Sequence, residues 1–343
     1  MSRPGSALRA RVTLHDIALR LEVSTATVSL ALRDAPVVAD GTRRRVQALA
    51  RELGYSYNRS AASLRTARSN MLGVGLHDIT NPSVSAMLSA FEDAAVAAGQ
   101  SIMLGIYAED RARQERVLGT LREYRPDGML VCPAAGTAPA DYDPLVAAGI
   151  PVVQVIREVE GAGLDLVASD DAAMIRLAAG HLAGLGHRRV AMIGGLEATS
   201  TGRERRRAFR DALAGLGLSL DPALMIEGEG TRETGLIGAR RLLGGGAPPT
   251  AMVCFNDLVA FGALLGLRHE GREAGREVSV VGCDDVPEAA LWAPGLTTIR
   301  TRPDELGRRA AALLVRRVAD PAGPPERIVL APELVVRGST GPA

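Results

Sequence analysis

The sequence predicts two architectures in one chain: an N-terminal all-α head containing a helix-turn-helix and a hinge helix, and a C-terminal α/β body whose parallel sheets form two lobes. Two patterns and one asymmetry predict it. Short helical periodicities crowd residues 11–57, and from Met71 onward apolar runs of strand length alternate with amphipathic stretches. Residues 1–68 carry 12 Arg against 5 acidic residues, a net +7, while the whole chain is only +1. One end is therefore an electrostatic footprint for phosphates and the rest is not. Every basic residue is Arg, so the uneven distribution, not the residue type, is the signal.

Residues 1–10 read as a disordered arm. Thr13 followed by Asp16 has the S/T-x-x-D/E pattern of a helix start, and Leu14, Ile17, Ala18 and Leu21 follow on one face. Glu22-Val23-Ser24 is short enough only for a tight turn, with Ser24 placed to cap a second helix from Thr25 to Leu32. That helix presents Val28, Ala31 and Leu32 inward and the small residues Thr25, Ala26 and Ser29 outward. A second helix so close behind the first has the geometry that brings its N-terminal end into a major groove. A third helix, about residues 42–53, closes the core with Val46, Leu49, Ala50 and Leu53 and stops at Gly54. Residues 58–69 form a hinge segment, too short to be a stable helix alone.

In the body, MLGVGL, SIMLGIY, GMLVCP and PVVQVI, then LVAS, RRVAMIGG, ALMIEG, AMVCFN and VSVVGCDD, are apolar runs separated by helical stretches. Such runs imply parallel strands covered on both faces. The roughly 270 residues from position 70 exceed one core, so two lobes are expected. Ligands of open α/β sheets lie at the carboxyl ends of the strands. There the sequence places Asn81 and Ser83 after the first run, Thr201 and Arg205 after RRVAMIGG, Asn256 and Asp257 after AMVCF, and Asp284 and Asp285 after VSVVGC. Asp257 and Asp285 are alternatively simple helix caps, and Arg203, Arg206 and Arg207 a solvated face.

Enzyme signatures are missing. Cys132, Cys254 and Cys283 are far apart and within or beside apolar runs, which indicates neither zinc nor a disulfide framework and fits a reducing cytoplasm. His181 and His187 have poor metal spacing and read as helix-end and loop structure. Neither a G-x-S-x-G elbow nor a G-x-G-x-x-G following a strand occurs. No catalytic residue, cofactor or metal is predicted, and no signal peptide or membrane span is evident.

The runs VTLHDIA, VSTATVSLAL and LGYSYNRSAASL, with PELVVRGS near the end, resemble the lactose repressor/galactose repressor family of transcription factors over nearly the whole chain. The resemblance implies base reading by Thr25, Ala26 and Leu30, and backbone positioning by Thr13, Ser24, Ser29, Thr42 and Tyr55. It also implies a hinge helix around Asn58 that inserts Leu64 into the minor groove, where an apolar wedge kinks the duplex. The body would then be similar to a periplasmic sugar-binding protein. Its N-lobe would take about 70–168 and 301–329 and its C-lobe about 169–300 and 330–343, with crossings near Ala168, Arg300 and Leu330. Arg205, Asn256 and Asp284 match family positions that hydrogen-bond a small molecule.

This chain departs from the family pattern at several places. Glu22 replaces a turn Gly, Ala39 replaces a Ser before the third helix so that Asp40 is the substitute cap, Leu30 stands where many members carry Arg, and Tyr57 replaces a Pro. Leu30 offers only apolar contact where Arg would grip guanine. Few aromatics are available, and Ser83, Val84 and Gly230 stand where relatives often carry rings, which predicts a smaller, more polar cleft or an atypical effector; Trp292 is expected near a subunit interface. Two readings follow. One is a homodimeric cytoplasmic regulator, expected to be a repressor, that binds a pseudo-palindromic DNA operator and a sugar-like effector; the other is a small-molecule-binding or enzymatic α/β protein whose head serves a protein contact.

Overall fold

The computed structural model describes residues 12–55 and 68–343. The chain divides into two compact units, Met1–Ser69 and Asn70–Ala343. In the first, α1 (Leu14–Leu21), α2 (Thr25–Ala31) and α3 (Asp40–Glu52) enclose a core of Ile17, Ala18, Val28, Ala31, Val46 and Ala50. Thr13 and Asp16 form a reciprocal capping box: Thr13 Oγ1 accepts from Asp16 N at 3.3 Å, and Asp16 Oδ2 accepts from Thr13 N at 2.7 Å. Glu22 closes α1 with φ +55°, the left-handed conformation for which Gly is the usual choice. Ser24 caps α2 by accepting from Thr27 N at 3.0 Å, and Gly54, at φ +64°, follows α3.

The head corrects three expectations. Ser29 is not outward but buried, 3% exposed. The two turns of α2 are covered by both α1 and α3, so the buried arc is wider than the Val28–Ala31 stripe. Leu30 is partly buried against the same core instead of standing free. The third helix starts at Asp40, two residues earlier than expected. Its N-cap Ala39 supplies no side-chain cap, and Asp40 lies inside the helix, bonded to Arg43 at 2.9 Å. Arg43 also donates to the carbonyls of Val38 at 2.8 Å and Ala35 at 3.2 Å, tying down the loop between α2 and α3.

The second unit contains β1 (Met71–Leu76), α4 (Pro82–Ala97), β2 (Ser101–Ile106), α5 (Arg111–Glu123), β3 (Gly128–Val131), α6 (Asp143–Ala147), β4 (Val152–Val155) and β5 (Asp165–Ser169). It continues through α7 (Asp171–Gly184), β6 (Val190–Ile193), α8 (Ser200–Gly215), β7 (Met225–Ile226), α9 (Arg232–Leu243), β8 (Ala251–Cys254) and α10 (Asp257–His269). It ends with β9 (Ser279–Asp284), α11 (Glu288–Leu291), β10 (Thr297–Arg300), α12 (Pro303–Ala319), β11 (Arg327–Leu330) and β12 (Glu333–Val335). Two six-stranded sheets result, ordered β11-β5-β4-β3-β1-β2 and β12-β10-β9-β8-β6-β7. All pairings are parallel except β10 with β12. Helices cover both faces of each sheet, so β3, β4, β6, β8 and β9 are buried throughout.

The chain passes between the sheets three times: after β5, after β10 and between β11 and β12. The strands nearest the last two passages, β10 to β12, were not identified from apolar runs. β10 (TTIR) contains one apolar residue, Ile299, and β11 and β12 are too exposed to give a clear pattern.

Candidate functional site

A cleft of about 350 Å³ opens at the carboxyl ends of both sheets. The six expected effector residues all line it: Asn81, Ser83, Thr201, Arg205, Asn256 and Asp284. They come from three places in the α/β repeat. Asn81 and Asn256 are N-caps, accepting from Ser83 N and Val259 N at 2.9 Å each, at the starts of α4 and α10. Thr201 and Arg205 are one turn apart on α8 and both buried. Asp284 ends β9 at φ +130°, a backbone conformation that non-glycine residues seldom adopt and that clusters at functional sites.

Arg205 is the electrostatic centre. Its Nε donates to Asp171 Oδ1 at 2.6 Å, its Nη1 donates to the Phe255 carbonyl, and the guanidinium lies 4.6 Å above the centre of the Phe255 ring. Burial opposes its charge, but Asp171 and the neighbouring Asp284 hold its pKa above the ordinary range. Burial pushes the Asp284 carboxyl up to about 6, against the pull of Arg205 and a hydrogen bond from Asn81. That bond, Asn81 Nδ2 to Asp284 Oδ2 at 3.3 Å, joins a residue that follows β1 to one that ends β9, and so spans the two lobes. Asn256 is occupied at both ends of its amide, since Nδ2 donates to Gly230 O at 3.0 Å. A ligand reaching it must exchange one of these bonds for its own.

Several neighbours behave differently from expectation. Asp257 does not cap its helix: its carboxylate accepts from Val286 N at 2.9 Å and Thr298 Oγ1 at 2.5 Å, fastening α10 to the sheet and the turn after β9. Asp285 is likewise no cap but pairs with Arg300 at 2.8 Å and Arg337 at 2.6 Å. Arg206 is not solvated; it is buried and bonded to Glu197 at 2.6 Å, whereas Arg203 and Arg207 are exposed. The packing of α8 against α7 and the β6 loop covers one of the three arginines and leaves two outside.

Sequence reasoning missed Arg157, Glu109, His77, Asp171 and Thr301, which also line the cleft. Arg157 and Glu109 form a two-pronged pair at 2.7 and 2.9 Å. His77 lies 3.2 Å from Cys132 Sγ, and burial lowers its pKa to about 4, so it is neutral near pH 7. The same strand-end rule would have found Arg157 after PVVQVI and Asp171 after LVAS. It would also have found His77, which directly follows MLGVGL, and Glu109, which stands two residues past SIMLGIY as Asp171 stands two past LVAS.

The three cysteines are buried free thiols, and burial pushes Cys132 and Cys283 up to about 12. His181 and His187 serve structure: the first bonds Thr340, the second Thr250, Ser279 and the Gly341 carbonyl. Among the described residues no group of His, Cys, Asp and Glu is arranged to hold a metal, and no helix is long and apolar enough to cross a membrane.

On the head, Thr25 and Ala26 are exposed side by side in the first turn of α2, which carries no acidic residue. Thr13 and Ser24 are exposed but already serve as caps, and Thr42 and Tyr55 are half-buried. Asn58 and Leu64 lie outside the described residues.

A helix-turn-helix head joined to a two-sheet α/β body with a polar cleft between its lobes defines a DNA-binding regulator with a periplasmic-binding-protein-like body. Residues 13–58 match the bacterial regulatory proteins of the lacI family, and residues 179–340 match the periplasmic binding protein-like domain. The chain is 30% identical over 336 residues to the HTH-type transcriptional regulator DegA of Bacillus subtilis, covering 97% of this chain and 99% of DegA. It is also 30% identical to the transcriptional repressor CytR of Escherichia coli, covering 96% of each. A crystal structure of the Lac repressor dimer bound to operator and the anti-inducer ONPF superimposes with a TM-score of 0.86 at 26% identity, covering 97% of this chain and 100% of that one. The chain belongs to the lacI family of transcriptional regulators.

Proposed function

We propose that this protein is a cytoplasmic, homodimeric transcriptional repressor, without catalytic activity, whose affinity for a pseudo-palindromic operator is set by a small polar molecule bound in the interlobe cleft. The observation that carries the reading is the convergence of six side chains from α4, α8, α10 and β9 on one cleft, in a chain that also carries an exposed, acid-free start to α2. CytR, named a repressor, and the operator-bound Lac repressor dimer support it.

In this reading Thr25 and Ala26 touch base edges, with Leu30 contributing only what its partly buried side chain can reach. Thr13, Ser24, Thr42 and Tyr55 position the backbone, Asn58 meets DNA from the hinge, and Leu64 is the minor-groove wedge. Ser29, being buried, is given no part in touching DNA. The cleft residues Asn81, Ser83, Thr201, Arg205, Asn256 and Asp284 hold the effector. Two recognition helices related by a two-fold axis require half-sites about one helical turn apart.

Binding-site selection with the full-length protein should return such a palindrome, with affinity that falls steeply as salt rises because the Arg-rich head displaces counterions from phosphates. Replacing Thr25 and Ala26 by larger polar residues should change the selected half-site while the protein stays folded. An unchanged consensus would remove both from base reading.

A further inference from the structure

We infer that the molecule taken up by the cleft is a compact hydroxylated amine, its ammonium held by the Asp284 carboxylate and one of its hydroxyls by Thr301. The inference rests on the reading of this cleft as an effector site, and four observations carry it.

The first is an imbalance of charge. Asp78, Glu109, Asp171, Glu229 and Asp284 line the cleft against only two guanidinium groups, Arg157 and Arg205. The second is that each guanidinium group already holds a carboxylate. Arg157 uses Nη1 and Nη2 on Glu109 and also donates to Pro133 O at 3.1 Å, while Arg205 uses Nε on Asp171 and Nη1 on the Phe255 carbonyl. An anionic ligand would have to compete with Glu109 and Asp171 for these two groups, whereas a cation meets Asp284, whose hydrogen bond to Asn81 is long at 3.3 Å.

The third observation is that Phe255 is the single aryl ring among the described residues of the lining, and Arg205 covers one of its faces. Stacking therefore contributes little, and recognition falls to hydrogen bonds and charge. The fourth is Thr301, which lies just after β10 where the chain passes back to the first lobe. The residue is 5% exposed and lines the cleft, and its Oγ1 has no hydrogen-bond partner among the described residues. A buried hydroxyl left unpaired is costly, and a ligand hydroxyl would supply the missing partner.

The test uses full-length protein in phosphate buffer, since Tris is itself a hydroxylated amine. Matched trios sharing a carbon skeleton are compared by thermal shift and then by calorimetric titration: glucosamine, glucose and gluconate; galactosamine, galactose and galactonate; serinol, glycerol and glycerate. At least one amine should protect the protein at about 10 mM and outperform its neutral and anionic counterparts. Thr301→Val and Asp284→Asn should each weaken that amine about tenfold or more in Kd. If Asp284→Asn fails to fold, Thr301→Val carries the test alone.

The inference is overturned if no amine protects, if a neutral or anionic member protects as well as its amine, or if Thr301→Val binds the amine with unchanged Kd. A neutral or anionic member that protects and also alters operator affinity would overturn the charge assignment while leaving the effector reading standing. A protecting amine that leaves operator affinity unchanged would do the reverse.

Discussion

At the scale of single residues, the cleft is organised by buried charges that satisfy one another. Asp171 and Arg205 are bonded at 2.6 Å with side chains 14% and 7% exposed, so removing one leaves the other charged and without its main partner. Asp171→Ala is expected to destabilise the body by about 3–5 kcal/mol, far more than loss of a surface pair; urea unfolding of the two proteins measures it. His77 gives the stability a pH dependence. Burial lowers its folded pKa to about 4, whereas the unfolded imidazole titrates near 6.5. The unfolded chain binds more protons between those values, so this contribution is complete above pH 6.5 and is lost as pH falls toward 4. The ring is partly open to the cleft, which limits the effect to about 1–3 kcal/mol. The stability of His77→Gln should therefore fall less than that of the wild type between pH 7 and pH 4.5. Burial raises Asp257 and Asp284, and their contribution runs the other way, diminishing as pH rises. Comparison of wild type with the His77 variant isolates the histidine from this opposing trend.

At the scale of elements, close helix packing keeps the cleft walls in place. α9 and α10 approach so closely that a Cβ on Gly262 would stand 1.9 Å from the Arg232 carbonyl oxygen, and one on Gly235 1.9 Å from the Val259 carbonyl oxygen. Both obstacles are backbone and cannot rotate away. Gly262→Ala should accordingly force the helices apart and cost about 1–3 kcal/mol or more, as overpacking does, despite the better helix propensity of Ala. Because α10 begins at the Asn256 cap, the same variant should also weaken ligand binding, and thermal unfolding with and without ligand separates the two effects. The contrast with α1 is instructive. Its capping box was legible in the sequence because Thr13 and Asp16 are three residues apart and need no tertiary partner. The α9–α10 contact was not, because a glycine in a helix gives no indication of what lies opposite.

At the scale of the whole molecule, regulation depends on the ligand having different affinities for two arrangements of the lobes, since equal affinity shifts no equilibrium. Asn81 and Asp284 already bond across the cleft, so a ligand placed between them acts on a contact that joins the lobes. The expected coupling between ligand and operator is about 1–3 kcal/mol and must be reciprocal. Titrating an identified ligand onto free and operator-bound protein should give the same factor as titrating operator with and without ligand. Equal ligand affinities in the two states would dissociate the cleft from control of DNA binding.

The sequence by itself determined what depends on local spacing. It marked the caps of α1 and α2, the periodicities of α1 to α3, the apolar strands through β9, and the strand-end polar residues that the structure gathers into one cleft, because a parallel α/β repeat puts every strand end on the same side. Only the tertiary structure decided which of those side chains are already committed. Asp285 answers to Arg300 and Arg337, Asp257 to Val286 and Thr298, Arg206 to Glu197, and Ser29 to the packing of three helices. The Thr301 hydroxyl is left without a partner among the described residues for the same reason. Hydrogen-bond satisfaction in a folded chain is settled by neighbours remote in sequence, and residue type and spacing carry no record of them.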